Sequence, residues 1–434
     1  VNAFIRAMRT PELRAKIFFT LGLLAIYRFG VFVPTPGFDY TNVTICSEQA
    51  LTAQGGGALG LVNMFSGGAL LQLSVFALGV MPYITASIIV QLLRVVIPRF
   101  EALHKEGQAG TAKLTQYTRY LTIGLAILQS TTIITLVRSG NFFVGCQLDV
   151  VPDESIPTLL LMVLTMTVGT VLIMWMGEMI TERGVGNGMS LLIFTSIAAS
   201  FPMAFGQIHQ IKGWLTTALV ALVALVVMVG VVFVEQSQRR IPVQYAKRMV
   251  GRRMYGGTST YIPIKVNQAG VIPVIFATSI LALPQMAASF GNPSDGWVQW
   301  INSNLVMGFS FSWVYAVVYV ALIIFFAFFY VSITFNAEEI ADNMKKYGGF
   351  VPGVRAGKPT ERYLQYVINR IQTPGAIYLA VIALMPLLAF VLLGASQDFP
   401  LGGASVLIII GVGLDTVKQI DAKLQQHHYE GILR

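Results

Sequence analysis

Ten apolar runs, most of them close to twenty residues long, set the limits on what this chain can fold into. They cover residues 17–33, 70–97, 117–137, 157–180, 189–205, 214–234, 271–290, 309–335, 376–394 and 401–417, and charged or Gly/Pro-rich stretches separate them. A hydrocarbon core about 30 Å thick takes roughly 20 apolar residues per helix. With 55% hydrophobic and 11% charged residues over 434 positions, the chain is not a soluble globule. The expected fold class is an all-α polytopic membrane protein of ten transmembrane helices. The first run has no small-residue cleavage site and leads into "VPTPG", so it reads as a retained span and not a removed signal peptide. The preceding "RTPELRAK" reads as a short cytosolic helix with Thr10 as cap and Pro11 in its first turn.

Alternating ten spans sorts the connections into two sets with very different Lys/Arg content. One set holds Arg6, Arg9, Arg14, Lys16, Arg99, Lys105, Lys113, Arg183, the basic stretch 239–265, the block 345–370, Lys418, Lys423 and Arg434; the other holds little more than Arg138 and Lys212. Positive charge marks the cytosolic side, so both termini are expected in the cytosol. The net charge of +9 is mainly this topological signal. The only two cysteines, Cys46 and Cys146, both fall in external connections. That placement permits a disulfide, and sequence leaves open whether the two loops meet.

Two segments repeat: "GVMPYITAS" from Gly79 in span 2 and "GVIPVIFAT" from Gly270 opening span 7. The spans stand five apart, and five is odd, so halves built this way have opposite orientations. This is inverted-repeat architecture, whose working site lies where the halves meet and which interrupted spans mark. The expected halves are 1–206, with spans 1–5, and 207–434, with spans 6–10 and cytosolic loops 235–268 and 336–373. Pro82 and Pro273 each remove a backbone donor and tend to kink their helix.

Just before span 2 lies "ALGLVNMFSGGALLQLS" (58–74). Its leading piece is apolar but too short to cross a bilayer, and Gly67 and Gly68 separate it from the run that follows. Span interiors are nearly free of ionisable groups; Arg28 sits at the outer end of span 1, where a long side chain can snorkel, and Glu178 and Asp415 lie near cytosolic ends. An ion-coupled secondary transporter, the alternative that inverted repeats allow, normally keeps such groups at the midplane.

Enzyme readings find little support. The four histidines, His104, His209, His427 and His428, make no zinc motif, so no metal or cofactor is expected. "GMS" at 188–190 lacks the final glycine of a nucleophile elbow and a partner histidine. "GVGNG" at 184–188 follows no strand, so it reads as a turn into span 5 and not a nucleotide loop.

Several stretches resemble one known family end to end: "FALGVMPYITASIIVQLL", "ERGVGNGMSLLIF", "QRRIPVQYAKR", "YIPIKVNQAGVIPVIFATS", "ADNMKKYGGFVPGVRAG" and "GGASVLII". The chain resembles the SecY/Sec61α family, the central subunit of the bacterial Sec protein-conducting channel, and its start "MRTPELR" is similar to actinobacterial members. The resemblance implies an hourglass channel in the bacterial cytoplasmic membrane, non-enzymatic, which passes unfolded secretory polypeptides and releases transmembrane segments sideways into lipid. Carried over motif by motif, the waist falls on Ile84, Ile88, Met189, Ile193, Ile275 and Ile408. Met189 departs from the usual isoleucine, and its flexible side chain makes a softer seal expected there. The repeat supports the waist without the family, because Ile84 and Ile275 each stand two residues after the repeated proline.

The resemblance also implies a plug over 58–66, with Leu59, Leu61, Val62, Asn63, Met64 and Phe65 followed by the hinge Gly67 and Gly68. Gln91 and Asn267 are candidates for polar contacts across a lateral gate. Arg239, Arg240, Arg252, Arg253 and Arg355 are candidates for docking the SecA ATPase or the ribosome; "QSQRRIPVQYAKRMVGRR" carries six Lys/Arg, more than orientation needs. Implied partners are SecE, SecG, SecA, the ribosome, signal peptides, secretory polypeptides and membrane lipid. An apolar waist holds water poorly, so it blocks ions by dewetting and offers a passing chain no fixed charge.

Overall fold

The computed structural model describes residues 10–53, 66–140, 142–143, 146, 148–245, 248–250, 253–255, 259–289, 291, 295–305, 312–393 and 403–430. Helices dominate: α1 (Pro11–Gly30), α2 (Tyr40–Ala53), α3 (Met81–Val96), α4 (Pro98–Lys105), α5 (Gln108–Arg138), α6 (Ile156–Arg183), α7 (Gly188–Gln236, two helices joined at a kink where Gly213 has φ +78°), α8 (Ile272–Ser289), α9 (Gly296–Asn304), α10 (Trp313–Thr334), α11 (Ala337–Lys346), α12 (Lys358–Leu393) and α13 (Gly403–Glu430). Among the described residues, five helical stretches are long and apolar enough to cross a membrane by themselves: α5, α6, Gly213–Gln236, Trp313–Lys346 and Lys358–Met385. The pair α3 and α4 passes together but bends by 100° between them, and Gly188–Pro202 and Ile272–Leu281 are shorter apolar helices. The bend falls at Pro98, which cannot donate a helical hydrogen bond and stands in the first turn of α4.

The chain forms two compact units: Val1–Ala221 with Ser279–Tyr315 and Pro386–Arg434, and Leu222–Thr278 with Ala316–Met385. In the first, α1 begins at Pro11 and runs unbroken to Gly30, so "RTPELRAK" is the opening of the first span helix and not a separate one. Thr10 is at the N-cap, but its side chain does not cap. Two of the packed neighbours, α5 and α6, close over a buried polar seam in which Ser130 Oγ and Thr167 Oγ1 lie 3.4 Å apart. Arg119 on α5 grips Glu178 on α6 through two bonds of 2.8 Å.

The second predicted span differs from expectation in its first part. Residues 69–80 are not helical: they form a chain of turns, with Leu73 at φ +44° and Gly79 at φ +56°. Helix starts only at Met81, with Pro82 in its first turn. The turns are deeply buried, with Ala69, Leu70, Leu73, Ala77 and Val80 at most 2% exposed. The polar backbone of this stretch finds partners in the "VPTPG" segment: Thr35 N donates to Leu73 O, Val75 N to Val33 O, and Pro34 and Ser74 form an antiparallel bridge. Irregular backbone at membrane depth is tolerated only where protein surrounds it, and protein surrounds this stretch.

The same unit settles the cysteines. Cys46 on α2 and Cys146, between α5 and α6, form a disulfide with Cα atoms 5.4 Å apart. Asn42 Nδ2 donates to Asp149 O at 2.8 Å and Asp39 N to Val150 O at 3.0 Å, so α2 is also stitched to this loop by hydrogen bonds. At the start of α6, the Asp153 carboxylate accepts from Thr158 Oγ1, Ser155 N and Ser155 Oγ. Those bonds, that from Thr158 foremost, hold its carboxyl below the usual carboxylate range.

The second unit contains a small antiparallel sheet where sequence reading had placed only cytosolic loops. Strand β1 (Gln238–Tyr245) pairs with β4 (Ser259–Lys265) in the register Gln238↔Lys265 to Gln244↔Ser259, and β5 (Gly349–Phe350) joins its other edge. Strands β2 (Arg248–Val250) and β3 (Arg253–Tyr255) make a separate hairpin. In "RRIPVQY" Ile241 and Val243 point inward between exposed neighbours, the period of two that marks a half-buried strand. They pack with Ile264, Val331, Met344, Val351, Leu364 and Ile368.

Candidate functional site

The candidate waist residues of the first unit lie on three of its helices. Ile84 and Ile88 stand one turn apart on α3, directly after the broken stretch 69–80, and therefore share a face. Ile88 is buried and Ile84 half-buried. Met189 and Ile193 repeat that spacing on α7, and Ile408 on α13 is buried. Ile275 is half-buried on α8 in the second unit, two residues after the buried Pro273.

The start of α7 is fixed by the "GVGNG" turn. Asn187 caps the helix, its Oδ1 accepting from Ser190 N at 3.4 Å, and Gly188 N donates to Thr181 Oγ1 at 2.9 Å. Val185 N donates to Thr20 Oγ1 of α1, and Lys423 Nζ of α13 donates to Gly184 O. Val185 also packs with Leu13, Ile17 and Ile420. Thus α1, α6, α7 and α13 are locked at one turn, which sets the axial position of Met189 and Ile193. Burial and the neighbouring Lys16 charge press the Lys423 ammonium below its ordinary value. Gly188 sits so close to α6 that an added Cβ would come within 1.9 Å of Gly177 O, and a Cβ on Gly177 would meet Met189 Sδ at 2.5 Å. Met189 therefore rests its thioether on the notch that Gly177 leaves.

The candidate plug residues Leu59, Leu61, Val62, Asn63, Met64 and Phe65 lie outside the described residues. The two glycines expected to form its hinge, Gly67 and Gly68, are described. Gly67 has φ +69° and Gly68 φ +94°, backbone that glycine adopts without the clash a Cβ brings. Arg28, expected only to snorkel, donates from Nη1 to Gly67 O at 2.6 Å.

Gln91 is half-buried on α3. Asn267 is 3% exposed in the second unit, and its Nδ2 donates both to Glu235 Oε1 at 2.6 Å and to Gly270 O at 3.2 Å. Sequence reasoning missed Glu235. It stands at the charged end of span 6, where an acid reads as a helix terminus and its partner 32 residues away leaves no local trace. Of the candidate docking residues, Arg239 and Arg240 are exposed on β1, and Arg240 lies over the Tyr261 ring, 4.8 Å from its centroid. Arg355 is exposed before α12, where its carbonyl accepts from Thr360 Oγ1. Arg253 is in β3, and Arg252 lies outside the described residues.

Known proteins match this arrangement throughout. The SecY family model covers residues 74–417. The protein translocase subunit SecY of Streptomyces coelicolor is 61% identical over 441 residues, with all of both chains covered. That of Mycobacterium bovis is 57% identical over 443 residues, again over all of both chains. Among solved structures, a protein-conducting channel superposes with a TM-score of 0.64 at 16% identity, covering 93% of this chain and 91% of that one. A SecY protein whose plug domain stabilises the closed state and maintains a membrane seal gives 0.61 at 18% identity, with the same coverage. At those identities the likeness shows a shared fold, and the full-length sequence matches show more: the chain belongs to the SecY family.

Proposed function

We propose that this chain is the channel through which unfolded secretory polypeptides cross a bacterial cytoplasmic membrane and from which transmembrane segments pass sideways into lipid. The observation that carries the reading is the full-length identity of 57–61% to SecY subunits of protein translocases. The family is a channel family and not an enzyme family, and it gives no support to the ion-coupled transporter that inverted repeats also allow. Buried, turn-rich backbone directly ahead of the waist-bearing helix suits a span built to receive another chain.

In this reading Ile84, Ile88, Met189, Ile193, Ile275 and Ile408 form the apolar waist between halves 1–206 and 207–434. The segment 58–66 is the plug, swinging on Gly67 and Gly68, and Gln91 and Asn267 border the lateral gate. Both termini and the β1–β4 hairpin face the cytosol, where Arg239, Arg240, Arg252, Arg253 and Arg355 meet SecA or the ribosome. SecE and SecG complete the complex. The channel needs no cofactor, because a dewetted ring of aliphatic side chains blocks ions by itself and holds no passing side chain tightly.

Crosslinking tests it. A secretory chain stalled in transit should react with cysteines placed at Ile84 and Ile275 and not with cysteines on the lipid-facing side of α10. Absence of adducts at both waist positions with an export-competent substrate would sink the channel reading.

A further inference from the structure

Four of the chain's five tryptophans, Trp214, Trp297, Trp300 and Trp313, are exposed and stand at or shortly before the start of a helix long enough to cross a membrane. Trp214 follows the first residue of Gly213–Gln236 and Trp313 opens α10, each 75% exposed. These helices are spans 6 and 8 of the ten, so both depart from the same membrane face. Trp297 and Trp300, 49% and 55% exposed, belong to α9, the short helix between α8 and α10.

α9 is fixed at both ends. An added Cβ on Gly291, two residues past α8, would come within 2.6 Å of the Trp297 ring and 2.5 Å of Val298 Cγ2, so the helix is seated on that glycine. At the other end Ser312 Oγ donates to Asn304 O at 2.9 Å and accepts from Tyr315 N, which ties α9 to the first turn of α10. Val298 is buried and Ile301 and Leu305 are half-buried, so protein takes one stripe of the helix. The exposed arc is divided. At 3.6 residues per turn, Trp297 and Trp300 stand about 60° apart on one side of the buried stripe, and Gln299 and Ser303 about 40° apart on the other. Asn304 lies between the two indoles, but its amide turns back to donate to Trp300 O and Ser303 Oγ. From Ala288 to Trp313 the sequence carries a single charge, Asp295. Large apolar rings with one N–H donor each suit the headgroup layer, where one end of the ring is dry and the other wet.

We propose that α9 is an interfacial anchor: it lies along the membrane surface with Trp297 and Trp300 sunk into the phospholipid leaflet from which α10 departs, and with Gln299 and Ser303 toward water. The lipid surface is recognised by aromatic burial and not by headgroup charge, because α9 offers no cation to an anionic lipid. Fixed at both ends, α9 sets the depth of the connection between α8 and α10 in that leaflet. The proposal rests on α10 crossing the membrane and needs neither the waist nor any partner of the channel.

The complex with its partner subunits is reconstituted in phosphatidylcholine vesicles with Trp175→Phe, Trp214→Phe and Trp313→Phe, and again with Trp297→Phe and Trp300→Phe added, so that the difference in emission belongs to α9. The vesicles carry lipid brominated next to the ester or near the chain end, and acrylamide serves as the aqueous quencher. The expected emission is blue-shifted from that of tryptophan in water, quenched about twofold or more better by the ester-proximal bromine than by the chain-end bromine, and unchanged when phosphatidylglycerol is added. Quenching by acrylamide as strong as for free tryptophan, with no bromine effect, would put the two rings in water and overturn the proposal. Blue-shifted emission that neither bromine nor acrylamide reaches would mean that a partner subunit or a second copy of this chain covers α9, which overturns it too. Stronger quenching from the chain end, or quenching that appears only with phosphatidylglycerol, likewise overturns it. Should the background variant not assemble, wild type is compared with Trp297→Phe combined with Trp300→Phe: loss of ester-proximal quenching supports the anchor, and unchanged quenching overturns it.

Discussion

Asn267 and Glu235 are bound to one another, Nδ2 to Oε1 at 2.6 Å, with the asparagine almost wholly buried. The bond joins the end of α7 to the segment that leads into α8, and the same Nδ2 reaches Gly270 O. The amide proposed for the lateral gate is thus held within its own unit, and its carboxylate partner fixes how it is presented.

Removing the acceptor leaves a buried amide donor short of a partner, a loss of about 1–3 kcal/mol. Glu235→Ala should therefore lower the thermal midpoint of the purified complex clearly more than Glu235→Gln, which keeps an acceptor of similar shape. Equal shifts for the two variants would show that the bond adds little.

The disulfide between Cys46 and Cys146 closes a loop of 100 residues. Protein isolated without reductant should yield one linked peptide pair on mass mapping, and Cys46→Ser should cost roughly 2–4 kcal/mol of stability. Recovery of both thiols in the free state would contradict the pairing.

Gly188 and Gly177 predict opposite tolerances. An added methyl at Gly188 meets the backbone of Gly177, which cannot yield, whereas one at Gly177 meets the flexible end of Met189. Gly188→Ala should sharply reduce the yield of folded channel, and Gly177→Ala should cost only the about 1–3 kcal/mol typical of overpacking. Met189→Ala should relieve the second variant and not the first, read as thermal midpoints of single and double mutants.

Charge reversal at Arg355, exposed in the turn before α12, should impair SecA-driven export more than insertion of the channel itself into the membrane. Parallel measurement of export rate and of channel abundance separates the two. Equal losses would argue against a docking role.

Asp153 gives a pH signature. Its carboxyl is held below 3.8 in the folded chain, so its stabilising bonds to the first turn of α6 are present above that value and are lost as pH falls through the lower folded value. Amide exchange at Leu159 and Leu160 should be faster in Asp153→Asn than in wild type at neutral pH, and the two should converge well below pH 3.8. A constant gap down to acid pH would contradict the assignment.

Sequence by itself determined the helices. A backbone in lipid must satisfy its polar groups internally, so a run of twenty apolar residues has little choice but helix: spans 4, 7 and 8 fall on α6, α8 and α10 within a few residues, and span 3 ends with α5, which starts nine residues before it. The special backbone of Gly67 and Gly68 was equally legible, because a missing Cβ acts locally, whereas Pro82 and Pro273 stand in the first turns of α3 and α8 and do not kink a helix interior. What only the tertiary structure decided depends on partners far away in the chain. Apolar content made 70–80 look like the start of a span, yet pairing with residues 33–35 holds it in turns, with Leu73 in left-handed backbone that no local preference favours. The meeting of Cys46 with Cys146, of Glu235 with Asn267 and of Arg28 with Gly67 likewise follows from packing. Composition fixes what a segment must bury, and only the neighbours that packing supplies fix which polar atom meets which.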